Sequence, residues 1–156
     1  MRERKIRGYA VEEMVGSQWV YGFGVYAVEF AEHYAKEIGR KIDWYLYTED
    51  AGIVRVHEDS IGDYIGKKDK DGNEVHEGDI VTLFCQENKG AWNDFKVTGV
   101  VTYFEQFAQF LVKRENSHPQ LGFDLFELCD HEDYELLEIE VIGNIFENPE
   151  LINTEK

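Results

Sequence analysis

The sequence predicts a mainly β fold, a β-dominated α+β chain built around a small SH3-like or similar barrel. Three observations carry that prediction: runs rich in Val, Ile, Tyr and Phe recur along the chain, glycine-centred turn signals separate them, and only one long stretch has helical periodicity. A chain of 156 residues is expected to form one core that removes roughly 70% of the unfolded chain's surface from water. Its 10 Phe, 9 Tyr and 3 Trp supply the apolar surface to do so without disulfide or metal staples.

From Lys5 to Val28 the chain is dense in Gly, Val and aromatics, which predicts one or two strands with Gly16, Gly22 and Gly24 at turns or bulges. In AVEFAEHYAKEIGR, Phe30, Tyr34 and Ile38 recur every fourth residue and Gly39 stands as a stop. A helix over about 28–38 follows, with Glu32 and Lys36 paired outward and His33 on the polar side. DWYLYT and GIVRVH, joined through residues 49–52, predict a hairpin. In SIGDYIGKKDKDGNEVHEGDIVTLF, Asp71-Gly72 and then Glu77-Gly78-Asp79 signal two reversals before a strand over 80–84. A second hairpin is expected over 96–104 and 107–113, bent at Glu105 and Gln106. FDLFELCDHEDYELLEIEV mixes periods, predicting a short helix after Gly122 and a strand by Leu137. Asn148 before Pro149 predicts a short terminal helix. The expected division is an N-terminal β/helix layer over 1–59 packed on a barrel core over 60–156.

Charge narrows the function classes. The net charge is −16, and residues 115–156 hold 12 acidic residues against Lys156 alone. Phosphate binding rests on clustered Lys and Arg that release counterions, so direct nucleic-acid binding is disfavoured. The one basic cluster, Arg2, Arg4, Lys5 and Arg7, reads as the solvated face of a first strand. An acidic surface also suits mimicry of nucleic acid toward a basic partner, a reading that would need carboxylates spaced along a stripe. Cys85 and Cys129 are too few for a disulfide framework, and no apolar h-region or 18-residue apolar run occurs. A reduced, cytoplasmic setting without a membrane anchor is expected.

The candidate catalytic and metal motifs fall short of the full spacing that their chemistry requires. Asp69, Asp71 and Asn73 imitate the start of an EF loop, but glycine falls at the fourth position and Ile80 at the twelfth, where a bidentate Glu is required. Cys129 with His131 is the nearest local zinc pair, and completing it would mean bringing in Cys85 and His76 from other strands. None of Ser17, Ser60 and Ser117 lies in a nucleophile elbow, and GFG at 22–24 lacks the third glycine and the Lys of a phosphate loop. A hydrolase-type carboxylate pair stays open as an alternative, because 32 acidic residues place some pair close together in any fold. No cofactor is expected.

The blocks IGDYIGKKDKDGNEVHEGDIV (61–81), GVVTYF (99–104) and EVIGNIFENPEL (140–151) resemble the signature blocks of the YopX family of phage and prophage proteins. RERKIRGY (2–9) and VYGF (20–23) also resemble the family, with Ile6, Gly8 and Tyr9 departing from its opening. The resemblance implies a small β-rich protein encoded by a temperate phage of low-GC Gram-positive bacteria, with no assigned activity. Within the central block, Gly66, Gly72 and Gly78 allow tight turns, an arrangement similar to the start of SH3-like barrels. The competing reading makes Tyr64, Lys67, Lys68, Asp69 and Lys70 an exposed partner-binding loop. The resulting expectation is a non-enzymatic protein acting by macromolecular binding, with an unknown host or phage protein as partner. Homo-oligomerisation is compatible with its aromatic-rich strands.

Overall fold

The computed structural model describes residues 4–106, 108–113, 123–124 and 133–152. The protein is mainly β and divides into two compact units, Met1–Tyr64 and Ile65–Lys156.

The first unit contains β1 (Ile6–Tyr9), β2 (Trp19–Glu29), α1 (Glu32–Ile38), β3 (Ile42–Thr48), β4 (Ile53–Val56) and the start of β5 (Gly62–Lys68). Its strands are antiparallel in the order β4-β3-β2-β1-β5. The sheet curls until β4 meets the end of β1. Ala10 faces Val56, Val11 N–H donates to the Arg55 carbonyl and His57 N–H to the Tyr9 carbonyl. Ala10, Val20, Leu46, Val54 and Val56 fill the core, with Ile6, Val25 and Trp44 packed against it.

The helix starts later than its periodicity predicts. Val28 and Glu29 pair with Asp43 and Ile42, so β2 continues through them and α1 begins at Glu32. Non-local strand pairing outweighs helical preference at those positions. Gly39, at φ +78, ends the helix as expected. The Glu32–Lys36 pair forms at 3.5 Å with both side chains largely exposed, so its contribution is small. On β3, Asp43 is buried between Arg40 at 2.6 Å and Arg55 at 3.5 Å. The Arg40 hydrogen bond, opposed by burial, holds its carboxyl below the usual range.

The second unit holds the rest of β5, β6 (Glu74–His76), β7 (Asp79–Asn88), β8 (Trp92–Phe104), β9 (Gln109–Lys113), β10 (Phe123–Asp124), β11 (Tyr134–Asn144) and a 3₁₀ turn at Pro149–Leu151. The order β10-β9-β8-β7-β11 makes an open five-stranded antiparallel sheet. The expected barrel is therefore corrected: among the described residues the sheet does not close. Part of the outer edge of β11 is already taken by the β5–β6 turn, where Lys70 N–H donates to the Ile139 carbonyl and Val141 N–H to Asp69 Oδ2. An edge engaged there is withheld from β10. Its core is Ile65, Val75, Val81, Leu83, Cys85, Val97, Val101, Val112 and Ile139.

The β8–β9 hairpin bends at Glu105 and Gln106 as expected. The helix expected after Gly122 is replaced where described by β10, whose Phe123 and Asp124 pair with Val112 and Leu111. The rest of that segment, with Cys129 and His131, lies outside the described residues. The terminal helix is a single 3₁₀ turn, and Asn148 Oδ1 accepts from Asn144 N–H instead of capping it. Among the described residues no helix is long and apolar enough to cross a membrane.

Cys85 is 1% exposed, and burial pushes its thiol up to about 11. In a Cys129→Ser background a disulfide-exchange reagent is expected to leave Cys85 unmodified in native buffer and to titrate one thiol after denaturation, read by thiol release.

Candidate interaction surface

The charged segment singled out in the sequence is a strand and a turn. Tyr64, Lys67 and Lys68 lie on β5, with Tyr64 and Lys67 half-buried and Lys68 exposed. Lys5 Nζ lies 5.7 Å from the Tyr64 ring centre. Asp69 departs most from the expected exposed loop, being 7% exposed. Its Oδ1 accepts from the N–H groups of Asp71 and Asn73, and its Oδ2 from the Asn73 amide and Val141 N–H. Burial works to raise its pKa, but these donors outweigh it and hold the carboxyl below its usual value. Lys70 is exposed, with Nζ 3.6 Å from Glu140.

Two glycines explain the shape of this block. Gly72, at φ +85, lets the turn fold over Asp69, and Gly78, at φ +89, sets up β7. Gly78 N–H donates to the Val101 carbonyl and its own carbonyl accepts from Ile145 N–H, while buried Asp79 accepts from His76 N–H at 2.7 Å. These contacts build framework.

A different surface stands out in the first unit. Along β3, Trp44 and Leu46 face the core, so strand alternation turns Tyr45 and Tyr47 to the opposite face. Cross-strand register places Tyr26 beside Tyr45, and Ile53 beside Tyr47. Towards β1, Tyr9 pairs with Trp19 and Arg7 with Tyr21 on the same outer face. Phe23 occupies the bulge between Gly22 and Gly24.

Ring contacts recur across this face. Tyr26 stacks on Tyr45 at 5.2 Å and 16°, also touches Tyr47, and Tyr47 stacks on Phe23 at 6.2 Å and 21°. Tyr9 meets Trp19 edge-on at 5.4 Å, with the Arg7 guanidinium 4.6 Å from the indole centre. Yet Phe23 remains 56% exposed, Ile53 54%, Tyr21 47% and Tyr47 41%. Crowding that excludes water, followed by Tyr47 and Tyr45, raises the Tyr26 hydroxyl above its ordinary pKa, so this phenol is neutral at pH 7. Such a surface offers stacking and displaceable water, with hydroxyls for hydrogen bonding.

In the second unit an open cleft of about 410 Å³ is lined by Phe84, Cys85, Asp94, Phe95, Lys96, Leu137 and Glu138. Lys96 Nζ lies 5.0 Å from the Phe84 ring centre, and the Cys85 thiol is protonated at neutral pH. The described carboxylates of β11 are Glu135, Glu138 and Glu140, with a register shift between Leu136 and Glu138 and with Glu140 engaged by Lys70.

Residues 25–153 match the family described as YopX protein. The chain belongs to the YopX family. The YopX match takes in the second half of β2 from Val25, all of β3 and the Asp69 block, whereas the resembling segments 2–9 and 20–23 lie before it. A comparison with curated proteins gives no match. YopX membership is a statement about ancestry and fold; chemistry has to be argued from the surface itself.

The aromatic face was legible in part. DWYLYT carries apolar residues at both alternating sets of positions, so a strand with one face on a core leaves one apolar set outside, and packing chooses which.

Proposed function

We propose that this YopX-family chain is a non-enzymatic phage or prophage accessory protein that binds a host or phage protein through the aromatic outer face of its first sheet. The observation that supports the reading is the exposure of Tyr21, Phe23, Tyr47 and Ile53 together on one surface. Tyr, Trp, Phe and Arg are the residues enriched at the cores of protein interfaces, where Lys, Glu and Asp are depleted. Large rigid rings also cost little side-chain entropy on binding.

A protein partner suits this face better than nucleic acid. Arg40 and Arg55 are engaged by Asp43, and Arg55 also by Glu12 at 2.9 Å, while the chain as a whole carries −16. That arrangement leaves little charge for gripping phosphates. The phage setting rests on the family resemblance.

The test is capture from phage-infected host lysate on the immobilised chain, followed by affinity measurement on the retained partner. Tyr47→Ala is expected to weaken binding by about 2 kcal/mol, roughly 30-fold, with thermal stability nearly unchanged because the side chain is half outside the fold. Equal affinity of the two chains, or turnover of a small molecule with no protein retained, overturns the reading.

A further inference from the structure

We propose that the chain forms a two-fold dimer by antiparallel pairing of the second half of β2 with the same segment of a second copy. β1 pairs with β2 only as far as Gly22, opposite Ile6. Beyond it, among the described residues, β2 has β3 on one side and no strand on the other. Phe30 N–H donates to the Lys41 carbonyl on the β3 side. Strand alternation therefore turns the backbone groups of Gly24, Tyr26 and Val28 toward β3 and those of Val25, Ala27 and Glu29 outward.

This edge lacks the usual protections. Residues 23–28 read FGVYAV, with no charge and no proline, and Ala27, Val28 and Glu29 are exposed. Soluble proteins ordinarily blunt such an edge with Lys, Pro or a covering segment. Here the bulge at Phe23 lies at the start of the open stretch, and from Gly24 to Glu29 the register with β3 runs without a further shift.

The segment is complementary to itself. A two-fold axis beside Tyr26 places Tyr26 opposite its copy, Val25 opposite Ala27, Gly24 opposite Val28 and Phe23 opposite Glu29. Outward N–H and C=O groups of both strands are then paired. The existing Tyr26–Tyr45 stack continues as a four-ring ladder across the seam. The two Glu29 carboxylates fall at opposite ends, each beside an aromatic ring. A foreign strand would satisfy the same backbone groups without extending the ladder, which favours a second copy.

Light scattering is expected to give twice the 18.2 kDa chain mass, falling to one chain on dilution. Amides of Val25, Ala27 and Glu29 should exchange roughly tenfold or more slowly in the dimer, while those of Gly24, Tyr26 and Val28 stay protected in both states. Ala27→Pro removes only an outward N–H, so it should give a monomer with an unchanged circular dichroism spectrum. Tyr26→Cys should oxidise to a disulfide-linked dimer and Val28→Cys should not, since only residue 26 faces itself. Tyr47→Ala, the variant aimed at partner binding, should keep the two-chain mass, so the two proposals fail separately. A one-chain mass at roughly several hundred micromolar, where weak dimers populate, a dimer that survives Ala27→Pro, or outward amides that exchange equally fast in both states overturns the proposal.

Discussion

Asp69→Ala is expected to lower stability by about 3–4 kcal/mol, read as a drop in urea midpoint with little change in slope. The carboxylate accepts four hydrogen bonds, three from the 71–73 turn and one from Val141 on β11, and is almost fully buried. Alanine removes every acceptor at once and leaves the part-buried donors of Asp71, Asn73 and Val141 without this partner, which costs more than losing the bonds alone. Asp69→Asn keeps the shape but points an amide at donors, so it should recover only part of the loss. The acid limb gives an independent check. Donors to the ionised form hold the folded pKa below the unfolded value, near 3.9, so the stabilisation is present above that value and lost as pH falls through the depressed one. Asp43, lowered chiefly by its Arg40 hydrogen bond, adds in the same direction. Wild-type protein should therefore lose stability below about pH 4, and Asp69→Asn should lose less of it there.

Gly22→Ala is expected to cost about 3 kcal/mol and to disturb the aromatic face, because the clash is with backbone. A Cβ at residue 22 would strike the Tyr47 carbonyl oxygen and sit 2.7 Å from its carbonyl carbon and 3.1 Å from Thr48 Cα. Neither neighbour can rotate away, so β2 and β3 must separate beside the bulge that carries Phe23. Gly24→Ala provides the control. Its Cβ would lie 3.6 Å from the Tyr47 ring, an ordinary contact, and stability should change by less than about 0.5 kcal/mol. Thermal melts measure both. Equal melting temperatures for the two variants would contradict the close approach of β2 to the Tyr47 carbonyl.

The sequence showed the framework more clearly than the interaction surface. Gly72 and Gly78 were readable as turns because positive φ is a local requirement that glycine meets cheaply. Asp69 looked exposed because its neighbours, Lys68 and Lys70, are charged. What buries it is Val141, 72 positions away in the chain. Helical spacing from Val28 onward was real, but β3 offered Val28 and Glu29 strand partners that no local pattern encodes. The barrel expectation failed for a related reason: whether an open sheet closes depends on what its edge strands already bond, and β11 bonds the β5–β6 turn.

By itself the sequence determined a β-rich chain, its turn positions, its negative net charge and its YopX kinship, because strand period, glycine conformation and charge belong to residues and their near neighbours. Only the tertiary structure decided that Trp44 and Leu46 go inward while Tyr45 and Tyr47 stay out, that Asp69 ties a turn to β11, and that half of β2 keeps an open edge. Each of those depends on which distant strand arrives alongside, and side chains of similar character on both faces of a strand leave that choice to packing.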